Sequence, residues 1–366
     1  MGFIPNNKAT EAMQRLDARF FRKGVILAVA SGMIYGVFSA SITQGMAVGP
    51  WADWYGPNTA MLSVFVIVYV LGMLGSGIND LVSALWATGI AGVRGKFMDF
   101  LRVFRTKPGL VMIVCALLGG PVANSAYIIA LQMIGPIAAT ITALCPSIGA
   151  IIGRVLFKQQ LNLRMICGIA ICLGATCMIG SLAFTDINVS ADFALGLAFA
   201  FIAALGWGFE GAVGGYGTTL IDFQISVSIR QTVSGFVTVF LAVPILCLVA
   251  GDIGLWGSLF SQAITSSAAM PFFIIAGLCS AVTFAFWYKG TSMIGAALSM
   301  ACNGAFSFWV PFFCWLILGV FFGQEGFDLL PIQWAAAVIM VVGIFLIAVN
   351  PLDFLRRKDI DIEKGA

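Results

Sequence analysis

From residue 24 to residue 349 the chain is a succession of apolar runs, and each approaches or exceeds the roughly 20 residues that cross a bilayer as a helix. They read as ten spans, 24–45, 59–79, 109–131, 136–157, 165–184, 194–215, 227–250, 270–289, 293–322 and 331–349. A span in hydrocarbon must satisfy its own backbone polar groups, so it is either a helix or a strand of a closed barrel. The alternating pattern of a barrel strand is absent, which leaves helices. Composition agrees: 60% of the 366 residues are hydrophobic, 10% are charged, and mean hydropathy is +1.02. A soluble domain is nearer half apolar and a quarter charged, so the main solvent of this chain is lipid. Its 42 glycines suit closely packed membrane helices. Two boundaries are open. LVSALWATGIAGV, after the second span, reads either as more of that helix or as an interfacial segment. The long ninth run reads as including an interfacial portion.

The basic residues orient these spans. With the N-terminus inside, all 19 Lys and Arg fall on the cytoplasmic side or at its edge. They occupy the tail to Lys23, the loop Arg94–Lys107, Arg154 to Arg164, Arg230, Lys289, and Arg356 onward. The outer loops hold none, but carry Asp53, Asp186, Asp192, Asp252, Glu325 and Asp328. This asymmetry predicts that both termini are cytoplasmic. Residues 1–23 read as an uncleaved cytoplasmic tail with a short amphipathic helix at Met13–Phe21, because no short apolar run with a small-residue cleavage site is present. Residues 350–366 read as a second tail. The nine cysteines all lie in apolar runs. With no CxxC and no histidine they read as small hydrophobes rather than metal ligands.

The chain also repeats itself. Tyr35-Gly36 answers Trp207-Gly208 at an offset of 172, Met133-Ile134-Gly135 answers Met293-Ile294-Gly295 at 160, and Gly174 answers Gly343 at 169. Each half, 24–184 and 194–349, then holds five spans. An odd number per repeat inverts one half relative to the other, which is the plan of secondary transporters with a site at the interface of the halves. The fold expected is an all-α membrane protein of ten transmembrane helices in two inverted five-helix repeats.

The stretch NSAYIIALQMIGPIAATITALCPSIGAIIGRVLFKQQLNLRMICGIAICLGATCMIGS carries an aromatic before Ala-Leu, a small-residue helix, Pro146, a polar turn and a glycine-containing last helix. It resembles the last three helices of an EamA-type domain of the drug/metabolite transporter superfamily. TFAFWYKGTSMIGAALSMACNGAFSFWVP through PIQWAAAVIMVVGIFLIAVNP resembles them more loosely. The resemblance covers roughly residues 24–350. It departs from the family pattern at Gln159, where the turn usually has an acid, and at Tyr35, where the first helix usually has Trp. It implies a ten-helix carrier in a superfamily of amino-acid and drug exporters, choline importers and sugar carriers. KGVILAVASGMIYG with LGMLGSGIND also resembles the rhamnose carriers.

In ALGWGFEGAVGGYG, residues 204–217, a single carboxylate, Glu210, stands among apolar residues and glycines. It lies about six residues from the inner end of its span, roughly 9 Å deep at ~1.5 Å per residue. Facing lipid there would cost several kcal/mol, so the carboxylate is expected to face a wet cavity or hold a proton. The alternative is that it snorkels or pairs with Arg230. Trp207, Glu210 and Gly214 share one face, beside a small stripe of Gly208, Gly211 and Gly215. Further candidates lie on helices that would surround the same cavity. They are Tyr35, Phe38 and Ser39 on the first span, and Asn124 with Tyr127 on the third. Thr283 with Trp287 on the eighth and Ser299 with Asn303 on the ninth complete the set. Their bland alternatives are an interfacial aromatic belt for Trp287 and Tyr288, and in-helix backbone bonds for the serines.

A carboxylate among aromatic rings suits a small organic cation, at about 0.5–2 kcal/mol per ring face. Glu210 is also the candidate proton-coupling group, since a proton and a cation could compete for it. The function expected is alternating-access transport of a small organic metabolite, an amine or quaternary ammonium compound. The alternatives are a proton-coupled sugar or other neutral solute, or a drug or amino-acid exporter. No nucleophile with a base and no metal set suggests an enzyme, and no cofactor is expected. The partners expected are the small-molecule substrate and the lipid bilayer of a cell membrane, with a homodimer left open and no nucleic acid.

Overall fold

The computed structural model describes residues 7–56, 62–134, 137–142, 144–158, 162–181 and 191–348. Readings on the C-terminal tail, Gln159, Gly135 and Asp186 lie outside them. Every regular element among the described residues is helical. The main helices are α1 (Asn7–Gly45), α2 (Val66–Val93), α3 (Lys107–Ala130), α4 (Cys145–Phe157) and α5 (Leu163–Ser181). They continue with α6 (Phe193–Leu220), α7 (Phe223–Val249), α8 (Met270–Ile294), α9 (Leu298–Phe321) and α10 (Pro331–Ala348). Seven helices, α1 to α3 and α6 to α9, are long and apolar enough to cross a membrane; α1 does so over Ala18–Gly45. The apolar stretches of α5 and α10 are shorter, and α4 has 13 residues after the six-residue helix Ile137–Thr142. The chain is a multi-pass helical membrane protein.

Several boundaries differ from the sequence reading. The region read as tail with a separate helix at Met13–Phe21 is continuous with α1 from Asn7. No glycine, proline or cap interrupts the chain before the apolar run begins. LVSALWATGIAGV prolongs the second helix to Val93 instead of lying along an interface. Two residues beyond its end, Gly95 at φ 72° turns the chain. The run read as one long ninth span breaks at Gly295, whose φ of 83° is open to glycine and strained for other residues, so Met293 and Ile294 belong to α8. Two short helices, Pro50–Tyr55 and Gly254–Thr265, were not expected. They seal one end of the bundle through Trp51, Trp54, Leu259 and Ala263.

Burial is inverted relative to a soluble protein. Leu85, Ile151, Val155, Leu248, Val338 and Val341 are exposed, while Asp80, Glu210, Arg230 and Gln231 are buried. In hydrocarbon the outer surface is apolar and ionisable groups turn inward. The end opposite the Trp51 cap is basic. There Lys96 pairs with Asp222 at 2.7 Å, Arg94 bonds Gln224 at 3.2 Å, and Lys289 lies 4.8 Å over the Phe223 ring.

The helices pair in a regular way. α1 packs on α8 and α9, α6 on α3 and α4, α2 on α7, and α5 on α10. Glycines set the closest approaches. A methyl group at Gly24 would collide with Met293 and Ile294, and one at Gly196 with Met133 and Ile134. Gly24 and Gly196 are 172 residues apart, and the two Met–Ile pairs 160.

Candidate functional site

Three ionisable side chains meet in the middle of the bundle. Arg230 on α7 donates from Nε to Glu210 Oε1 at 3.0 Å and from a terminal nitrogen to Asp80 Oδ2 at 3.3 Å. All three are buried, with exposures of 2%, 1% and 4% for Arg230, Glu210 and Asp80. A partnerless charge at this depth would be costly, whereas pairing with further hydrogen bonds offsets desolvation. Those bonds are present. Tyr288 OH donates to Glu210 Oε1 at 3.3 Å, and Ser234 Oγ donates to Asp80 Oδ2 at 2.6 Å. Arg230 also donates to Gln231 Oε1 at 2.8 Å, and its guanidinium lies 4.0 Å from the centre of the Phe284 ring, a cation–π contact. Gln231 in turn donates to Ser280 at 3.0 Å.

Backbone features make room for this cluster. Glu210 opens a π-helical turn, Glu210–Gly214, a local widening of the helix that is frequent at functional positions. Across from it, Gly119 sits in a second π-helical segment, Leu118–Asn124, which contains Pro121. A side chain at Gly119 would strike the Glu210 carboxylate, and one at Gly120 would strike Ser234. These two glycines let α3 approach the ion cluster closely.

Of the two readings of Glu210, a carboxylate facing a wet cavity or holding a proton and one that snorkels or pairs with Arg230, the structure shows the Arg230 pairing. The first was preferred because no basic residue lies in its own helix; the partner comes from the next one. The depth changes too. α6 runs on to Leu220, so Glu210 lies ten residues, about 15 Å, from the helix end rather than six. Arg230 is seven residues, about 10 Å, inside α7 and is not an edge residue. Asp80 was not a candidate, because the second span was ended at residue 79. With α2 continuous to Val93 it stands near the middle of its helix. The signal was present in the sequence: the apolar run resumes immediately after Asp80.

The other candidates fall into three groups. Trp207 donates from Nε1 to Asn124 Oδ1 at 2.9 Å and to the Gly119 carbonyl at 3.1 Å, and its ring lies 5.1 Å from Tyr127. Gly119 thus touches both this group and Glu210. Trp287 and Tyr288 are buried with ring centres 5.2 Å apart, so neither forms an interfacial belt. Both stand against Phe284 next to the ion cluster. The third group lies along the seam of α1, α8 and α9. Ser31 donates to Asn303 Oδ1 at 2.7 Å, Thr283 donates to the Ser31 carbonyl at 3.4 Å, and Thr291 donates to Ser299 at 2.9 Å. Tyr35 packs on Phe38 and Phe306 at 5.0 and 5.2 Å, and Ser39 spends its hydroxyl on the Tyr35 carbonyl within its own helix. A separate small cavity of about 10 Å³, room for little more than one water, lies between α4, α5 and α9, lined by Cys145, Cys172, Thr176, Ala301, Gly304 and Phe306; none of the candidates lines it.

No protein-family model and no curated protein matches the chain. Among solved structures, a crystal structure described only as that of a protein shares 13% identity, with a TM-score of 0.64 over 88% of this chain and 94% of that one. The likeness is one of fold alone.

Proposed function

We propose that the chain is a ten-helix secondary transporter of the EamA type, moving a small organic solute by alternating access between two inverted halves, with proton coupling. The observation that carries this reading is the closed Asp80–Arg230–Glu210 cluster between helices of the two halves. A buried ion cluster inside membrane helices marks an ion or solute pathway more often than a structural need. The helix pairing supports the inverted repeat. Exchanging each helix of the first half with its counterpart in the second turns the α1–α8 contact into α6–α3 and maps α2–α7 and α5–α10 onto themselves. The basic end, with Lys96, Arg94 and Lys289, supports cytoplasmic termini.

Two carboxylates share one guanidinium, which leaves one negative charge in excess when both are ionised. That excess favours a proton or a cationic solute, and the rings of Trp287 and Phe284 beside it, with Trp207 in the same apolar cluster, favour an amine or quaternary ammonium group. A second reading is a neutral polar solute such as a sugar. It is favoured by the uncharged Trp207–Asn124–Tyr127 group, which offers ring faces and an amide.

Reconstituted vesicles separate these readings. With a pH gradient imposed, the wild-type protein is expected to accumulate an amine or a quaternary ammonium compound from a panel that also includes sugars. Glu210→Gln is expected to abolish accumulation. Uptake of sugars alone, unaffected by Glu210→Gln, would sink the cation reading and leave the neutral one. No uptake of any solute class under either gradient direction would sink the carrier.

A further inference from the structure

Four of the five buried polar side-chain atoms without a hydrogen-bond partner among the described residues cluster around the ion triad in sequence. They are Asn79 Oδ1, Ser83 Oγ, Thr232 Oγ1 and Trp287 Nε1; the fifth, Trp51 Nε1, lies in the end cap. Two of them flank Asp80 on its own helix. Asn79 is 3% exposed, and its amide lies against the Asp80 carboxylate, with Nδ2 3.4 Å from Oδ1. Ser83 is fully buried and stands one turn further along the same face, at the spacing where helical side chains meet. Buried polar atoms are almost always satisfied, so a pair of unused oxygens beside a carboxylate calls for a donor between them.

The two carboxylates are held unequally. Glu210 receives Nε of Arg230 at 3.0 Å and the Tyr288 hydroxyl. Asp80 receives a longer contact from the guanidinium, 3.3 Å, and the Ser234 hydroxyl, both on Oδ2. Its other oxygen, Oδ1, has only the 3.4 Å contact to Asn79. We infer that Asp80 is the proton-carrying carboxylate of the site, taking the proton on Oδ1 with Ser83 Oγ as acceptor, while Glu210 anchors Arg230. The step is a simple protonation. A proton from the aqueous side forms the O–H bond at Oδ1, one negative charge is neutralised, and the same bond breaks when the proton leaves to water. The charged and titratable groups facing Asp80 are Arg230 from α7, Glu210 and Tyr288 beyond the guanidinium, and Tyr35 of α1 within electrostatic reach. The charged side chains of the adjoining α8 and α3 are Lys289 and Lys107, and both stand toward the basic end, away from Asp80. A metal cation is a poorer occupant, because the guanidinium lies 3.3 Å from the same carboxylate.

The inference rests on the carrier reading for its purpose, but its test needs no transported solute, so each can fail alone. The probe is the proton itself. Infrared difference spectra of the full chain in phospholipid vesicles, recorded between acid and alkaline pH, read the C=O stretch of a protonated buried carboxyl. The wild type is expected to show one such band, absent in Asp80→Asn and retained in Glu210→Gln. Ser83→Ala is expected to keep the band but move its frequency, since the frequency reports the hydrogen bond on the carboxyl; this milder variant stands if Asp80→Asn does not fold. A band lost in Glu210→Gln and kept in Asp80→Asn would overturn the assignment in favour of Glu210. A band lost in both variants, missing in the wild type, unmoved by Ser83→Ala, or displaced by sodium but not by potassium would overturn it as well.

Discussion

Two helix stretches related by an offset of 172, Tyr35 to Ser39 on α1 and Trp207 to Gly211 on α6, differ in chemistry. At the offset of 172, Phe38 stands where Glu210 stands. On α1 the face is closed by rings: Tyr35, Phe38 and Phe306 pack together, and Ser39 bonds its own backbone. On α6 the face is polar and committed to other helices, through Trp207 to Asn124 and through Glu210 to Arg230. The partners explain the difference. Gly77 faces Thr238 and Val239 while Gly235 faces Asp80 and Leu81, a reciprocal contact that relates α2 to α7 at an offset of 158. The same offset places Gly72 at the counterpart of Arg230, and Gly72 is packed against Ile128. An acid at position 38 would find no guanidinium there. A buried charge is tolerated only where its counter-charge is also supplied.

The strongest way to break this comparison is to remove the counter-charge. Arg230→Met leaves two buried carboxylates unpaired and is expected to cost about 3–5 kcal/mol, read as a lower thermal-denaturation midpoint in detergent. Adding Asp80→Asn and Glu210→Gln to it is expected to restore most of the loss. No recovery in the triple variant would show that the guanidinium matters for more than charge.

Packing at the repeated crossings comes next. Gly24→Ala and Gly196→Ala each drive a methyl into a Met–Ile pair, and each is expected to cost about 1–3 kcal/mol, by the same measurement. A tolerated substitution at one site with a large loss at the other would show that the two crossings are not equivalent. A smaller effect is expected from Trp207→Phe. It removes the donor to Asn124 and the Gly119 carbonyl, for about 0.5–1.5 kcal/mol, whereas Tyr35→Phe keeps its ring contacts and should change less. Equal losses would erase the chemical contrast between the two faces.

The smallest effect belongs to the basic end. Asp222 caps α7 through the Gln224 backbone N–H and meets Lys96. Partial burial pushes its carboxyl up, but the Lys96 ammonium and the backbone N–H groups of Gln224 and Ile225 outweigh this and hold it below the ordinary value of 3.8. A carboxyl lowered on folding contributes stability that is full above its unfolded value and is lost as pH falls through its folded value. The wild type should therefore lose thermal stability below about pH 4 by slightly more than Asp222→Asn, which keeps a capping oxygen but no charge. Coincident acid limbs for the two would remove Asp222 from the account.

Much of the candidate site was legible one helix at a time. Trp207, Asn124 and Tyr127 were chosen by spacing on two helices, and the structure joins them directly. Thr283, Asn303 and Ser299 were chosen the same way and lie in polar contacts along the α1–α8–α9 seam. Asp80 was lost because the second run was ended one residue too early, although the hydrophobic pattern continues to Val93. Arg230 was set at a membrane edge because charge counting treats each basic residue as exposed.

Sequence alone determined that this chain lives in lipid and that its elements are helices, because hydropathy is a property of single segments and of their order. Only the tertiary structure decided which charges neutralise one another. Whether a carboxylate is a lone acid or half of an ion pair depends on which side chain of a different helix lies within about 3 Å of it, a length scale that hydropathy does not encode.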